Sequence, residues 1–184
     1  MFEYNKSTIG LIGAKGTGKT YLTKRILSHY PKHRILVLDK RQQYNEYAHV
    51  VPETLDVKTL DAFLKMVYEH EKDVCIVLDD LDLYLQYANS SPYLKNILVE
   101  GATKLNIGLI WQAKHLVNLD ANILSETNFL IVGHTFFTSK SDLDKLTVLG
   151  FDFTMYDKYV KGHERRYVML DTLHGKNMLI SDIA

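Results

Sequence analysis

The sequence contains little cysteine and proline, and it has no long apolar run. Its 184 residues include one cysteine and three prolines, and no apolar run reaches the roughly 18 residues of a membrane-spanning helix. A single cysteine cannot form an internal disulfide, and Cys75 lies in an apolar run where a small core residue is expected. The first residues, Met1–Lys6, do not have the character of a signal peptide. We therefore expect a cytoplasmic protein without stable membrane insertion.

An excess of either charge is also missing. Lysine and arginine together number 22, aspartate and glutamate together number 22, and the formal net charge is zero. This balance argues against a broadly basic surface that coats nucleic acid, although a narrow basic lining inside an oligomer stays open. The eight histidines are scattered without the spacing of a zinc site. The length predicts a single domain over residues 1–184.

A glycine-rich stretch near the start is the most informative part of the chain. An apolar run ending at Ile12 precedes it and a segment with helical spacing follows it, so a loop between a strand and a helix is predicted. The stretch fits the phosphate-binding pattern G-x-x-x-x-G-K-[ST] without a mismatch. The predicted nucleotide-binding residues are Gly13, Ala14, Lys15, Gly16, Thr17, Gly18, Lys19, Thr20 and Tyr21.

Each residue type in this stretch has a physical reason. Glycines let the backbone curl so that successive N–H groups point at an anion, and the following helix adds the positive end of its dipole. The Lys19 ammonium can reach the β- and γ-phosphates, which makes it a predicted catalytic residue, and the Thr20 hydroxyl can bind Mg²⁺. The predicted cofactors are therefore ATP and Mg²⁺.

A second informative stretch is an apolar run, Val74–Leu78, that ends in two acids. It has a Walker B pattern, with aspartate where many such enzymes carry glutamate. Downstream of a phosphate loop, Asp79 is predicted to hold Mg²⁺ beside Thr20, and Asp80 to orient and polarise the attacking water. Asp82 lies close by, and the sequence does not rank it securely against Asp80.

Two other predicted strands end in polar side chains. Asp39 ends the strand Arg34–Asp39, where it is either part of the surroundings of the metal or a solvent-exposed acid. Gln112 ends the strand Ile107–Gln112 and would lie beside the γ-phosphate if that strand neighbours the first, the alternative being a local strand-end amide. The loop Lys40–Tyr44 either contacts a nucleic-acid backbone or is simply solvated.

Local signals predict the remaining elements. Helical spacing predicts a helix over Thr54–Glu71, and Ser91 is the predicted N-cap of another. Small and polar residues predict a turn at Glu100–Asn106. Near the C-terminal end a β-hairpin is predicted; Arg165 and Arg166 precede it, either as a catalytic finger that reaches a neighbouring subunit or as charges that protect a strand edge.

The order of these parts resembles the FtsK–HerA superfamily of P-loop ATPases. Residues 100–112, EGATKLNIGLIWQ, are similar to that family's segment E-G-R-K-x-G, an apolar residue, G, an apolar run and Q. Residues 119–125, LDANILS, are similar to its segment L-D-x-x, an apolar residue, L and S. The resemblance covers roughly residues 8–137 and implies an α/β, RecA-like three-layer sandwich with a mostly parallel central sheet, to which the predicted C-terminal β-hairpin is added.

The resemblance also implies a function. It implies ATP hydrolysis by a homo-hexameric ring that translocates double-stranded DNA, with Gln112 as a polar sensor of the γ-phosphate. The short chain is most similar to the stand-alone viral genome-packaging ATPases, which implies capsid or procapsid partners and a place in the host cell cytoplasm or the virion. The alternatives are a virion-assembly or extrusion ATPase, a small P-loop kinase, and a nucleotide-dependent switch.

The chain departs from the family pattern at two points. The family's arginine corresponds to Ala102 or Thr103, so a cation acting on a neighbouring subunit's nucleotide must be Lys104, Arg165 or Arg166. The second acid of the Walker B pattern is one methylene shorter than glutamate, which adds to the open choice between the two aspartates.

Overall fold

Short apolar strands alternate with amphipathic helices along most of the chain. The computed structural model describes residues 6–85, 91–134 and 140–181. The strands are β1 (Thr8–Ile12), β2 (Ile35–Leu38), β3 (Ala48–Val50), β4 (Cys75–Leu78), β5 (Gly108–Ala113), β6 (Phe129–Gly133), β7 (Arg166–Asp171) and β8 (Lys176–Ser181). The α-helices are α1 (Lys19–Leu27), α2 (Val57–His70), α3 (Leu81–Tyr84), α4 (Pro92–Asn96), α5 (Ala121–Ser125), α6 (Lys140–Val148) and α7 (Phe153–Tyr159), with a 3₁₀ turn at Lys32–Arg34 and a π-helical segment at Ile97–Leu105. Among the helices in these ranges, none has both the length and the apolar character to cross a membrane.

The strands form one sheet in the order β3-β2-β4-β5-β1-β6-β7-β8. The pairs from β3 to β6 are parallel, and β7 and β8 add an antiparallel hairpin beyond β6. Parallel strands with both faces covered are apolar along their length, and every residue of β1, β4 and β5 is buried. Since β5 lies between β1 and β4, the carboxyl ends of these three strands meet at the edge where open α/β sheets bind ligands.

Helices cover both faces of the sheet. Side chains alternate across a strand, so Trp111 of β5 packs in the cluster that contains Leu64 of α2, whereas Ile110 packs in the cluster that contains Leu22 and Leu27 of α1. Helix, sheet and helix therefore form three layers. The predicted fold class is confirmed, including the mostly parallel sheet and the C-terminal hairpin.

Side-chain caps set the start of two helices. The Asp56 carboxylate accepts the Thr59 N–H at 2.8 Å, so α2 begins later than the predicted Thr54. The Ser91 hydroxyl accepts the Leu94 N–H at 3.1 Å, which confirms the predicted N-cap of α4. The two helices contact each other, and Leu64 of α2 and Leu94 of α4 belong to the same hydrophobic cluster.

The turn predicted at Glu100–Asn106 is wrong. The chain stays helical from α4 through the π-helical segment, and Asn106 ends it with a left-handed φ of 56°, which asparagine tolerates better than most residues. Gly101 is there because of close packing: a Cβ on it would lie 3.3 Å from the Ile97 side chain. Small residues in this segment therefore reflect helix packing, which the sequence pattern could not distinguish from a turn.

Candidate functional site

The glycine-rich loop joins β1 to α1, as the sequence predicts. Gly16 and Gly18 have φ values of 87° and 89°, in the left-handed region that glycine adopts without strain. At Gly18 a Cβ would also lie 2.6 Å from the Tyr167 hydroxyl. Helix α1 begins at Lys19 directly after it, and the first N–H groups of a helix have no partner within the helix. The loop therefore presents backbone donors and the positive end of a helix dipole to the cleft.

The Lys19 side chain folds back over this loop. Its Nζ donates to the Gly13 carbonyl at 2.7 Å and to the Ala14 carbonyl at 3.2 Å. Burial lowers the pKa of Lys19, and the carboxylates of Asp80 and Asp79 oppose this shift. The ammonium is thus held by oxygen atoms at the position where a bound phosphate would attract it.

Asp79 and Thr20 fit a magnesium site. Asp79 follows β4 and is 5% exposed. Burial raises its pKa to about 7, and the nearby carboxylates of Asp80 and Asp39 act in the same direction, so the ionised form needs positive charge beside it. Thr20 lines the same cleft, and carboxylate and hydroxyl oxygens are ligands that Mg²⁺ takes together with water and phosphate.

Gln112 lies on the floor of this cleft at the end of β5. Strand β5 pairs directly with β1, and Gln112 is in register with Leu11. The strand that ends in Gln112 therefore neighbours the first strand, as the prediction for Gln112 required. Its Nε2 donates to the Thr23 hydroxyl at 3.0 Å and to the Tyr44 hydroxyl. Among the described residues its Oε1 is buried without a hydrogen-bond partner.

Asp39 organises the loop that follows β2. It is fully buried, and its carboxylate accepts the Arg41 N–H at 2.7 Å and the Gln43 N–H. The loop therefore closes over the cleft, where Gln43 accepts a hydrogen bond from the Thr20 hydroxyl at 3.1 Å. Asp39 is therefore not a solvent-exposed acid. In the loop that follows it, Lys40, Arg41, Gln42 and Gln43 are exposed, as expected of a solvated loop, and Tyr44 is buried.

Two cations in the cleft were missed by the sequence reasoning. The Arg41 guanidinium lies 2.9 Å from one Asp80 carboxylate oxygen, and the Lys114 ammonium lies 3.5 Å from the other. Each stands two residues beyond a strand-end residue that the sequence did identify, Asp39 or Gln112. That spacing was the available signal, because residues just past the carboxyl ends of parallel strands share one edge of the sheet.

Asp82 faces away from the reactive part of the cleft. Its Oδ2 accepts the Lys114 N–H at 3.3 Å, and its backbone carbonyl accepts from Asn118 Nδ2 at 3.3 Å. Burial raises the pKa of Asp82. Asp80 lines the cleft, so the geometry favours Asp80 over Asp82 as the acid that faces substrate.

The structure separates the candidate arginines. Arg165 lies on the phosphate loop of its own chain: its N–H donates to the Thr17 carbonyl at 3.4 Å, and its guanidinium lies 4.9 Å from the centre of the Tyr21 ring. The Tyr167 hydroxyl donates to the same carbonyl at 2.8 Å. Arg166 is exposed at the start of β7.

Lys104 lies in the π-helical segment. Its ammonium lies 2.9 Å from the Glu100 carboxylate, one helical turn away. The structure does not bring Lys104 into the cleft that contains the phosphate loop.

One cleft of about 330 Å³ collects these groups. It is lined by Lys15, Gly16, Gly18, Lys19, Thr20, Arg41, Gln43, Asp79, Asp80, Gln112 and Lys114. Backbone donors, cations and carboxylates that share one cleft can bind a phosphate chain together with a divalent cation.

Known structures share this fold over nearly all of the chain. The genome packaging NTPase B204 from Sulfolobus turreted icosahedral virus 2, in complex with AMPPCP, superposes with a TM-score of 0.75 over 97% of this chain and 99% of that chain, at 14% identity. The chain therefore shares the fold of this packaging NTPase. EssC (ATPases 2 and 3) from Geobacillus thermodenitrificans gives a TM-score of 0.61 over 93% of this chain and 38% of that chain, at 16% identity. At these identities the likeness is one of fold.

Similarity in sequence is more local. Uridine kinase from Bacillus mycoides (strain KBAB4) is 32% identical over 81 residues, which are 43% of this chain and 34% of the kinase. The chain thus matches about a third of the length of this curated relative. No model of a known protein family matches the chain.

Proposed function

We propose that this chain is a Mg²⁺-dependent ATPase that works as a DNA-translocating motor and packages a viral genome. One observation carries the ATPase part: the phosphate loop, a buried pair of acids and a buried glutamine converge on a single cleft. Residues 1–184 would form one P-loop ATPase domain. The product pair is ADP and phosphate.

The residues of the cleft divide the work of hydrolysis. The loop N–H groups and Lys19 bind the β- and γ-phosphates and stabilise the charge that develops on them. Thr20 and Asp79 would hold Mg²⁺, which would neutralise phosphate charge. Asp80 accepts a hydrogen bond from the attacking water, and Gln112, which lines the same cleft, senses the γ-phosphate. The water oxygen bonds to the γ-phosphorus, the bond to the bridging oxygen breaks, and the water proton passes to the Asp80 carboxylate.

The motor part is supported by fold and coverage. The packaging NTPase B204 matches from end to end, with no large segment of either chain left over. By this likeness the chain would assemble as a homo-hexamer, act on double-stranded DNA at a capsid or procapsid, and be found in the host cell cytoplasm or the virion. Arg165 or Arg166 would then serve a neighbouring subunit only if ring formation moves them from the positions described above.

The deciding measurement is the ATPase rate with and without double-stranded DNA, together with the mass in solution with ATP. We expect DNA to raise the rate, and a mass of about six times the 21.2 kDa of one chain. Lys19→Ala should abolish turnover because it removes the phosphate-binding ammonium. Asp80→Asn should also abolish turnover while still binding ATP, because an amide cannot take up a proton from water.

Two results would contradict this proposal. If Asp80→Asn hydrolysed ATP at the normal rate, Asp80 would not be the acid that activates the attacking water. If the protein is a monomer and DNA does not change its ATPase rate, the motor part of the proposal is wrong, even if ATP is hydrolysed.

A second candidate is a small P-loop kinase, favoured by the local likeness to uridine kinase. A kinase would transfer the γ-phosphate to an acceptor hydroxyl in place of water. Adding uridine to the same assay tests it: a kinase forms uridine phosphate and stops releasing inorganic phosphate. If the chain is a motor, no uridine phosphate forms and the rate of phosphate release does not change.

A further inference from the structure

Arg41 and Lys114 have no part in the mechanism derived so far. Both side chains line the cleft beside Lys19, and both pair with the same carboxylate, that of Asp80. The side chains of Arg41 and Lys114 are 38% and 24% exposed, against 10% for Asp80. An anion entering the cleft can therefore reach the cations without displacing the protein around them.

Buried acids hold the backbone of both cations. The Arg41 N–H donates to Asp39 Oδ1 at 2.7 Å, and the Lys114 N–H donates to Asp82 Oδ2 at 3.3 Å. Asp39 and Asp82 are themselves buried. Cations on a fixed backbone lose less conformational freedom on binding than cations on a loose loop, so this arrangement suits a binding site better than a solvated surface.

The backbone next to these groups is in a rarely used conformation. Asp80 has a φ of 52° and Gln42, the neighbour of Arg41, a φ of 56°. Left-handed backbone at residues other than glycine persists where surrounding contacts enforce it, and it concentrates at functional sites. Here the two left-handed residues border the ion pair between Asp80 and Arg41.

We propose that Arg41 and Lys114 bind the γ-phosphate of a nucleoside triphosphate in the cleft of their own chain, and that Asp80 holds both cations in place until the phosphate arrives. This inference rests on the proposed ATPase function. A guanidinium binds phosphate through two parallel hydrogen bonds, and an ammonium acts as a point charge. Transfer of both cations to the phosphate leaves the Asp80 carboxylate available to the attacking water. A nucleoside diphosphate has no γ-phosphate and leaves the two ion pairs with Asp80 intact.

The test compares binding of AMPPCP and ADP, each with Mg²⁺, by calorimetry. The variants are Arg41→Gln, Lys114→Gln and Arg41→Lys. Lys65→Gln is the matched control, because it removes one positive charge from an exposed i,i+4 pair with Glu69 on α2. Thermal melting of each variant checks that it is folded.

We expect each glutamine variant to lose at least about tenfold in affinity for AMPPCP, the loss for one charged hydrogen bond, and much less for ADP. Arg41→Lys should fall between wild type and Arg41→Gln, because it keeps the charge and loses the two-pronged geometry. Lys65→Gln should bind both ligands like wild type.

Two outcomes separate the inference from the proposed function. If wild type binds both nucleotides and the glutamine variants keep its ratio of affinities, Arg41 and Lys114 only anchor Asp80 and the inference is wrong while the ATPase stands. If folded wild type binds neither AMPPCP nor ADP, the proposed function itself fails.

Discussion

A single buried carboxylate sets a testable pH dependence of stability. The folded pKa of Asp79, about 7, lies above its ordinary value of 3.8, so between these values the folded protein keeps a proton that the unfolded chain has lost. The free energy of unfolding therefore falls as pH rises through this window, and the loss is complete above about pH 7. Without nucleotide and with EDTA, Asp79→Asn should melt at least about 2 °C above wild type at pH 8, with a smaller difference at pH 5.

The matched control is Asp157→Asn, which changes an acid with a 61% exposed side chain on α7. Its melting temperature should differ from wild type by the same small amount at both pH values, because an exposed carboxylate is solvated in both states. An Asp79→Asn effect that does not grow between pH 5 and pH 8 would contradict the assigned burial of charge.

At the scale of elements, the contact between β1 and β5 leaves no room for a methyl group at Gly10. A Cβ there would lie 2.1 Å from Cζ2 of the Trp111 ring, which is fully buried and donates from Nε1 to the Thr127 hydroxyl at 3.1 Å. Gly10→Ala should therefore lower the free energy of unfolding by about 1–3 kcal/mol, the usual cost of overpacking a core. Urea denaturation followed by circular dichroism measures it.

A smaller ring tests whether the contact is the cause. In a Trp111→Phe background the same Gly10→Ala change should cost less, because phenylalanine does not reach as far as the six-membered ring of tryptophan. The difference between the two costs is the coupling energy of the pair. If Gly10→Ala lowers the free energy of unfolding equally in both backgrounds, the contact with Trp111 is not the cause.

The whole molecule protects its one thiol. Cys75 lies in the middle of the sheet, in register with Ile35 on β2 and Gly108 on β5, and burial raises its pKa to about 12. Since the thiolate is the reactive form, a thiol reagent at pH 8 should label the folded protein only as fast as the molecule opens. Labelling should be immediate in denaturing urea, and fast labelling under native conditions would contradict a sheet closed on both faces.

The elements and side chains that depend only on nearby residues of the chain were predictable from the sequence. The glycine pattern, the apolar run before it and the helical repeat after it act over a few residues, so the strand, loop and helix around Lys19 were predictable. The same holds for the acids that follow β4, the amide that ends β5, and the Ser91 cap. The resemblance in the segment ending at Gln112 extended this to the fold class, which the structure confirms.

Contacts between side chains from distant segments depend on how the strands are arranged in the folded protein. Asp80 lines the cleft, while Asp82 accepts the Lys114 N–H. Arg41 and Lys114, 73 positions apart in the sequence, converge on Asp80 because β4 lies between β2 and β5. Coulomb interactions act through space, and their strength depends on distance and burial, so no local pattern carries this information. The residues proposed for catalysis were therefore predictable from local sequence, whereas the charges around them follow from the order of the strands.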